Sequence, residues 1–203
     1  MKYTFTALAL AAVALATPIP ESDFAPPSFK IADVISGGSG CPQGSIDVDF
    51  TDSSVLPIYF GKDFIASVGN GVGADQSRKN CQLNLKIQYS KGWQYTVIRA
   101  EYQGWGRLDP GVKGRVNAQY YFSGETNSVS TPIYIDGPFN GRWKKDDSVF
   151  TSFGYSSCDG EALLNVNSDV ALTPLGKAVS GTLAQTKENV KLGQSIWFQW
   201  RKC

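Results

Sequence analysis

From residue 78 to residue 102 apolar and polar side chains alternate with a period of two. Leu83, Leu85 and Ile87 share one parity, and Asn84, Lys86 and Gln88 share the other. On an extended chain that period turns one set toward a core and the other toward water. Ser90, Lys91 and Gly92 then turn the chain, and 93–102 returns as an antiparallel partner. The same alternation sets Ile46, Val48 and Phe50 against Asp47 and Asp49, and Leu56, Ile58 and Phe60 against Pro57 and Tyr59. Further strand patterns lie at 64–68, 115–123, 131–136, 139–144, 163–172, 179–185 and 195–202, the last read as a central strand. About ten short strands at this spacing, without an amphipathic helix, predict an all-β fold, an antiparallel β-sandwich in a single domain over 41–203.

The two segments before it read differently. Residues 1–16 carry Lys2, an apolar run and the small-residue site Ala14-Leu15-Ala16, the pattern of a secretory signal peptide. The run meets Thr17, Pro18 and Pro20 before it is long enough to span a bilayer. Segment 17–40, with Pro18, Pro20, Pro26 and Pro27, cannot be helical and is expected as a Pro/Gly-rich extended arm. The chain is therefore expected to be secreted and extracellular, with no membrane partner after cleavage.

Charge and cysteines sharpen this. Removing Lys2 lowers Lys+Arg from 19 to 18, equal to the 18 Asp+Glu, and a neutral chain lacks the clustered cations that nucleic acid requires. The 4 cysteines, Cys41, Cys81, Cys158 and Cys203, follow the signal segment, so two disulfides are expected with three connectivities open. Cys41–Cys81 with Cys158–Cys203 is preferred, because it nests each bridge in its own half and staples the last residue. With 0 histidines in the chain, a Ser-His-Asp or Cys-His nucleophile has no base, and a zinc or copper site lacks its usual ligand.

What remains is chemistry by carboxylates, by Tyr or Lys, or no chemistry and binding alone. Glu101 and Asp109 are the candidate acid and base of a polysaccharide hydrolase or lyase, against the alternative of a solvated strand carboxylate and an ordinary Asp-Pro-Gly turn. Asp47, Asp49 and Asp52 could line a calcium site, although their spacing is that of no standard calcium loop. The glycine-rich GNGVG resembles a phosphate loop but lacks a following helix. Aromatic residues concentrate between 93 and 122. Trp105, in a Gly-Trp-Gly context that favours exposure, is the leading platform for stacking a sugar ring, with Tyr102 and Tyr121 beside it; Trp93 and Tyr95 have core parity. Arg142, Lys144, Lys145, Asp146 and Asp147 read as a charged hairpin edge that discourages aggregation. No Asn-x-Ser/Thr acceptor occurs, so no N-linked glycan is expected.

The stretches GCPQGS, RKNCQLNLKIQYSKGWQYTV, LDPGV, YYFSG and FQWRKC, spread over about 40–203, resemble a fungal secreted four-cysteine family of unknown function, domain of unknown function 4360. The resemblance implies secretion and a disulfide-stapled β fold built on Cys41, Cys81, Cys158 and Cys203, and brings no catalytic residues. The leading expectation is a non-catalytic secreted β-sandwich that binds cell-wall polysaccharide or a host or other extracellular protein, with no cofactor. A carboxylate-dependent hydrolase or lyase and a purely structural extracellular protein are the alternatives.

Overall fold

The computed structural model describes residues 25–26, 28–130, 132–147, 154–175, 178–185 and 193–203. The expected signal segment and the first part of the Pro-rich arm lie outside the described residues. The strands are β1 (Phe29–Gly37), β2 (Asp47–Val48), β3 (Val55–Tyr59), β4 (Ala66–Val68), β5 (Arg78–Tyr89), β6 (Trp93–Leu108), β7 (Lys113–Phe122), β8 (Ser128–Ser130), β9 (Ile133–Asp136), β10 (Phe139–Asp147), β11 (Glu161–Thr173), β12 (Gly181–Gln185) and β13 (Gly193–Lys202). A 3-10 turn at Ala74–Gln76 follows the glycine-rich loop, too short to serve as the helix of a phosphate site.

These strands form two antiparallel sheets, the architecture the alternation predicts. In the first sheet the order is β1-β5-β11-β7, with β8 and β9 end to end along the far side of β7. In the second sheet, β3 joins β2 to β13, and β6 pairs with β13 over one stretch and β12 over another, with β4 beyond β12. β10 lines the opposite side of β6, pairing Phe139 with Leu108 through Asp147 with Ala100. The inward parities of both sheets, Leu83, Leu85, Ile87, Val166 and Tyr120 from one and Leu56, Ile58, Tyr95, Ile196 and Phe198 from the other, are buried together in one core. Each fully buried aliphatic side chain contributes about 1.5–3 kcal/mol.

Three local features depart from the alternation read along the chain. The last part of the supposed arm is strand β1, hydrogen-bonded to β5 from Phe29↔Tyr89 to Gly37↔Gln82, so the sheet begins before Cys41. A bulge between Ile31 and Asp33 breaks the parity of Ile31 and Val34, which is why the segment carries no clear strand signature. In β6 the ladder shifts register at Ile98, so Trp93, Tyr95 and Val97 face inward and, beyond the shift, Ala100, Tyr102 and Leu108 do. Finally, Gly104-Trp105-Gly106 is strand rather than loop. Gly106 and Gly114 make room for Leu183: a Cβ on either would lie 2.9 Å or 2.6 Å from a Leu183 methyl, so glycine there lets the sheets close.

Disulfides join Cys41 to Cys81 and Cys158 to Cys203, with Cα–Cα distances of 5.2 and 6.2 Å. The first is buried and pins the end of β1 to the head of β5. The second is exposed and ties the end of β13 to the loop before β11, beside the Cys203 N–H donated to Gly92 O. The charged edge is β10, where Arg142, Lys144 and Asp146 face out while Lys145 and Asp147 turn inward and pair at 2.8 Å. Inward-turned charge on an edge strand is a guard against further strand addition.

Candidate functional site

The outer face of the first sheet carries a field of side-chain amides. The outward parities of β5, β11 and β7 fall into register in successive cross-strand rows: Asn84–Asn165–Tyr121, Gln82–Asn167–Gln119 and Asn80–Asp169–Asn117. Ser128 and Ser130 of β8 extend the first two rows, and the next row ends Arg115–Tyr134 on β9. Seven of the nine residues of those three rows are Asn or Gln.

The field is held in place by its own hydrogen bonds. Asn84 Nδ2 donates to Asn165 Oδ1, and Asn165 Nδ2 donates to Ser123 Oγ at 2.9 Å. Gln119 Nε2 donates to Ser128 Oγ at 3.0 Å, and Ser130 Oγ to Asn117 Oδ1 at 2.9 Å. Arg115 Nη2 donates to both oxygens of Asp169, at 2.7 and 2.5 Å, and shields it, so the residue is 5 % exposed although it stands on an outer face. An amide offers up to four hydrogen-bonding positions, two donor and two acceptor, and these contacts use one or two of the four. Asn167, half-buried at the centre of the field, has no side-chain hydrogen bond among the described residues. Tyr121 lies half-buried at one end, and Tyr134, 72 % exposed, stands about 20 Å away along the strand direction, six residues of rise from Tyr121.

The remaining candidates are dispersed. Tyr102 is 4 % exposed and faces the core, where its hydroxyl meets that of Tyr120, which also accepts from Gln194 Nε2; Gln194 Oε1 accepts from Ser168 Oγ at 3.3 Å. It forms a polar seam between the sheets and no surface platform, because the register shift at Ile98 turned it inward. Burial pushes the Tyr120 phenol well above its usual range, and burial does the same for Tyr95. Trp105 lies half-buried on the outer face of the second sheet, so the Trp105, Tyr102 and Tyr121 set divides among two opposite surfaces and the core.

Glu101 also faces out from the second sheet, held by Lys144 Nζ at 2.9 Å and Arg99 Nη2 at 3.3 Å. Asp109 lies beyond the far end of the same strand, its Oδ2 accepting from Ser180 N–H at 2.9 Å. Seven residues of strand separate Glu101 from Leu108 alone, about 23 Å. That exceeds the roughly 10 Å limit for an acid and its base or nucleophile, so these two carboxylates do not form a catalytic pair. Asp47 is exposed on β2, while Asp49 Oδ1 accepts from Thr51 N–H at 3.2 Å and Asp52 Oδ1 from Ser54 N–H and Oγ at 2.8 and 2.7 Å. Those Ser54 hydrogen bonds hold the Asp52 carboxyl below its usual range. Asp49 and Asp52 are thus turn-formers, and among the described residues no three His, Cys, Asp or Glu side chains group as metal ligands.

The amide field escaped sequence reading because its rows join strands distant in the chain. The polar parity of each strand was visible; the adjacency of β5, β11 and β7 was not.

The profile of the domain of unknown function DUF4360 matches residues 27–203. The chain belongs to that family. An uncharacterized secreted protein of Arthroderma benhamiae is 33% identical over 179 residues, spanning 88% of this chain and 73% of the relative. This family member is a secreted protein. Solved structures similar to it include TmCBM61 in complex with β-1,4-galactotriose, at TM-score 0.30 and 11% identity over 86% of this chain and 91% of that one. The enzymatically active domain of tailspike protein 4 from bacteriophage CBA120 aligns at TM-score 0.23 and 12% identity, over 86% and 20%. At such scores neither carries functional weight.

Proposed function

We propose that the protein is a non-catalytic extracellular binding protein whose ligand is a neutral polysaccharide, seated on the outer face of the first sheet. The observation that carries this reading is the in-register amide field with Tyr121 and Tyr134 beside it. Sugar hydroxyls both donate and accept, and side-chain amides match them without carrying charge. Aromatic rings add flat apolar area with little conformational entropy to lose. Asp169, the carboxylate of the third row, is neutralised by Arg115, so the field attracts neither sign of charge strongly. Both Asp169 oxygens accept from Arg115, which leaves the group poorly placed to take a proton from a water or a hydroxyl.

Pull-down of the purified mature protein on insoluble chitin, β-glucan, cellulose and plant cell wall, with sugar analysis of the supernatant, tests this. Retention without released sugar is expected, and it weakens in the Asn167→Ala and Tyr134→Ala variants. Released sugar, or retention unchanged by both substitutions, contradicts the proposal.

A further inference from the structure

The outer face of the second sheet divides into two electrostatic halves. In one, Arg99 pairs with Asp146 and with Glu101, and Lys144 pairs with Glu101, so cations and anions balance. Arg99 also stacks over the Trp197 ring at 4.3 Å. In the other half, Arg142 sits directly across the ladder from Trp105, and Arg107 lies two residues along from Trp105 on the same face, about 7 Å away. Both guanidinium groups are exposed, and neither has an acidic partner among the described residues. Beside Arg107 opens a pocket of about 300 Å³ lined by Arg107, Asp109, Ser180, Gly181 and Thr182. Asp109 is turned to the Ser180 N–H. With Arg107, Arg142 and Asp109 the net charge of this end is positive, on a chain that is neutral once the signal segment is gone.

We infer that this end of the second sheet is a separate binding site for a carboxylated polysaccharide, with Arg107 and Arg142, each adjacent to Trp105, gripping uronate groups. A guanidinium matches a carboxylate with two parallel hydrogen bonds, which a lysine cannot do. The half-buried Trp105 ring gives a sugar ring flat apolar area beside the two cations. Among the described residues the site is a strand face, suited to a polymer lying across it, and the hydroxyls of Ser180 and Thr182 extend it beyond Arg107. It is independent of the amide field, which faces away on the other sheet. If both sites are occupied, one molecule joins a neutral polymer to an acidic one.

Affinity electrophoresis of the mature protein in gels containing polygalacturonate tests the site, with highly methyl-esterified pectin and dextran sulfate as parallel gels. Polygalacturonate is expected to retard the protein at low salt, with retardation falling as salt screens the contacts. The Arg107→Gln/Arg142→Gln double variant, altered only at exposed positions, is expected to lose at least tenfold in affinity. Asn167→Ala leaves that affinity unchanged. Equal retardation by the esterified polymer, unchanged binding in the double variant, or stronger retardation by dextran sulfate than by polygalacturonate would overturn the inference.

Discussion

Replacing Cys158 and Cys203 by alanine releases the end of β13, a strand flanked by β3 and β6 in the middle of the second sheet. Constraint of the unfolded chain is the main stabilising effect of a disulfide, and it depends on the length of the closed loop. Sequence separations of 45 residues for this bridge and 40 for Cys41–Cys81 give about 4 kcal/mol each at 25 °C on that account. The two losses should nonetheless differ. Cys41 and Cys81 are both 0% exposed, so their removal also leaves a void, whereas Cys158 and Cys203 are exposed and their atoms return to water at little cost. Urea unfolding of the mature protein, with linear extrapolation, measures both variants against the parent. C158A/C203A should lose up to about 4 kcal/mol and C41A/C81A more, a large share of the roughly 5–15 kcal/mol typical of a folded domain. Losses below about 1 kcal/mol, or a larger loss from the exposed bridge, would refute the reasoning. Mild reductant should likewise open Cys158–Cys203 first, as read by alkylation and intact mass.

Other consequences follow from burial and close approach. A Cβ at Gly137 would lie 2.0 Å from Asp109 O, a backbone atom that cannot swing aside, so Gly137→Ala should cost about 1–3 kcal/mol or more in the same unfolding assay. Tyr120→Phe leaves the Tyr102 hydroxyl and Gln194 short of a buried partner and should cost about 1–3 kcal/mol, with no effect on retention by neutral polysaccharide. Tyr95 and Tyr120 have phenol pKa values raised by burial. Their contribution to stability is full below the ordinary phenol pKa of about 10 and is lost as pH rises beyond it, so in an ultraviolet phenolate titration both should ionise only with base unfolding. Asp146, Glu161 and Asp52 are shifted the other way, chiefly by hydrogen bonds from Arg99, Gln88 and Ser54 respectively. Their contribution is present above the ordinary carboxyl pKa of about 4 and is lost as pH falls below it, which an acid melting series reads directly.

Period-two alternation was enough to place Leu83, Leu85 and Ile87, Leu56 and Ile58, and Ile196, Phe198 and Trp200 in the core, because a regular strand converts sequence parity directly into facing. It failed where the backbone departs from regularity. The register shift at Ile98 hides that Tyr102 and Tyr95 face the same way despite opposite parity, and the bulge in β1 hides a strand in a Pro-rich segment. Glycine misleads at Gly106, where it serves close packing against Leu183 rather than exposure of a loop. The amide field needs long-range information, since Asn84, Asn165 and Tyr121 become neighbours only through the order β5-β11-β7. Arg107 and Arg142 are likewise joined only by the β6–β10 pairing, although Trp105 beside them stands out in the sequence.

Neutral-polysaccharide binding by the amide field is tested most directly by titrating the isotope-labelled mature protein with soluble oligosaccharides of chitin, β-glucan and cellulose, following the side-chain amide resonances. At least one oligosaccharide should shift the Asn167, Gln119 and Asn117 amides in a saturable, dose-dependent way while Gln103 and Gln199, outward on the other sheet, stay in place. Shifts confined to the second sheet, or no saturable shift of the field with any of the three, would contradict the account.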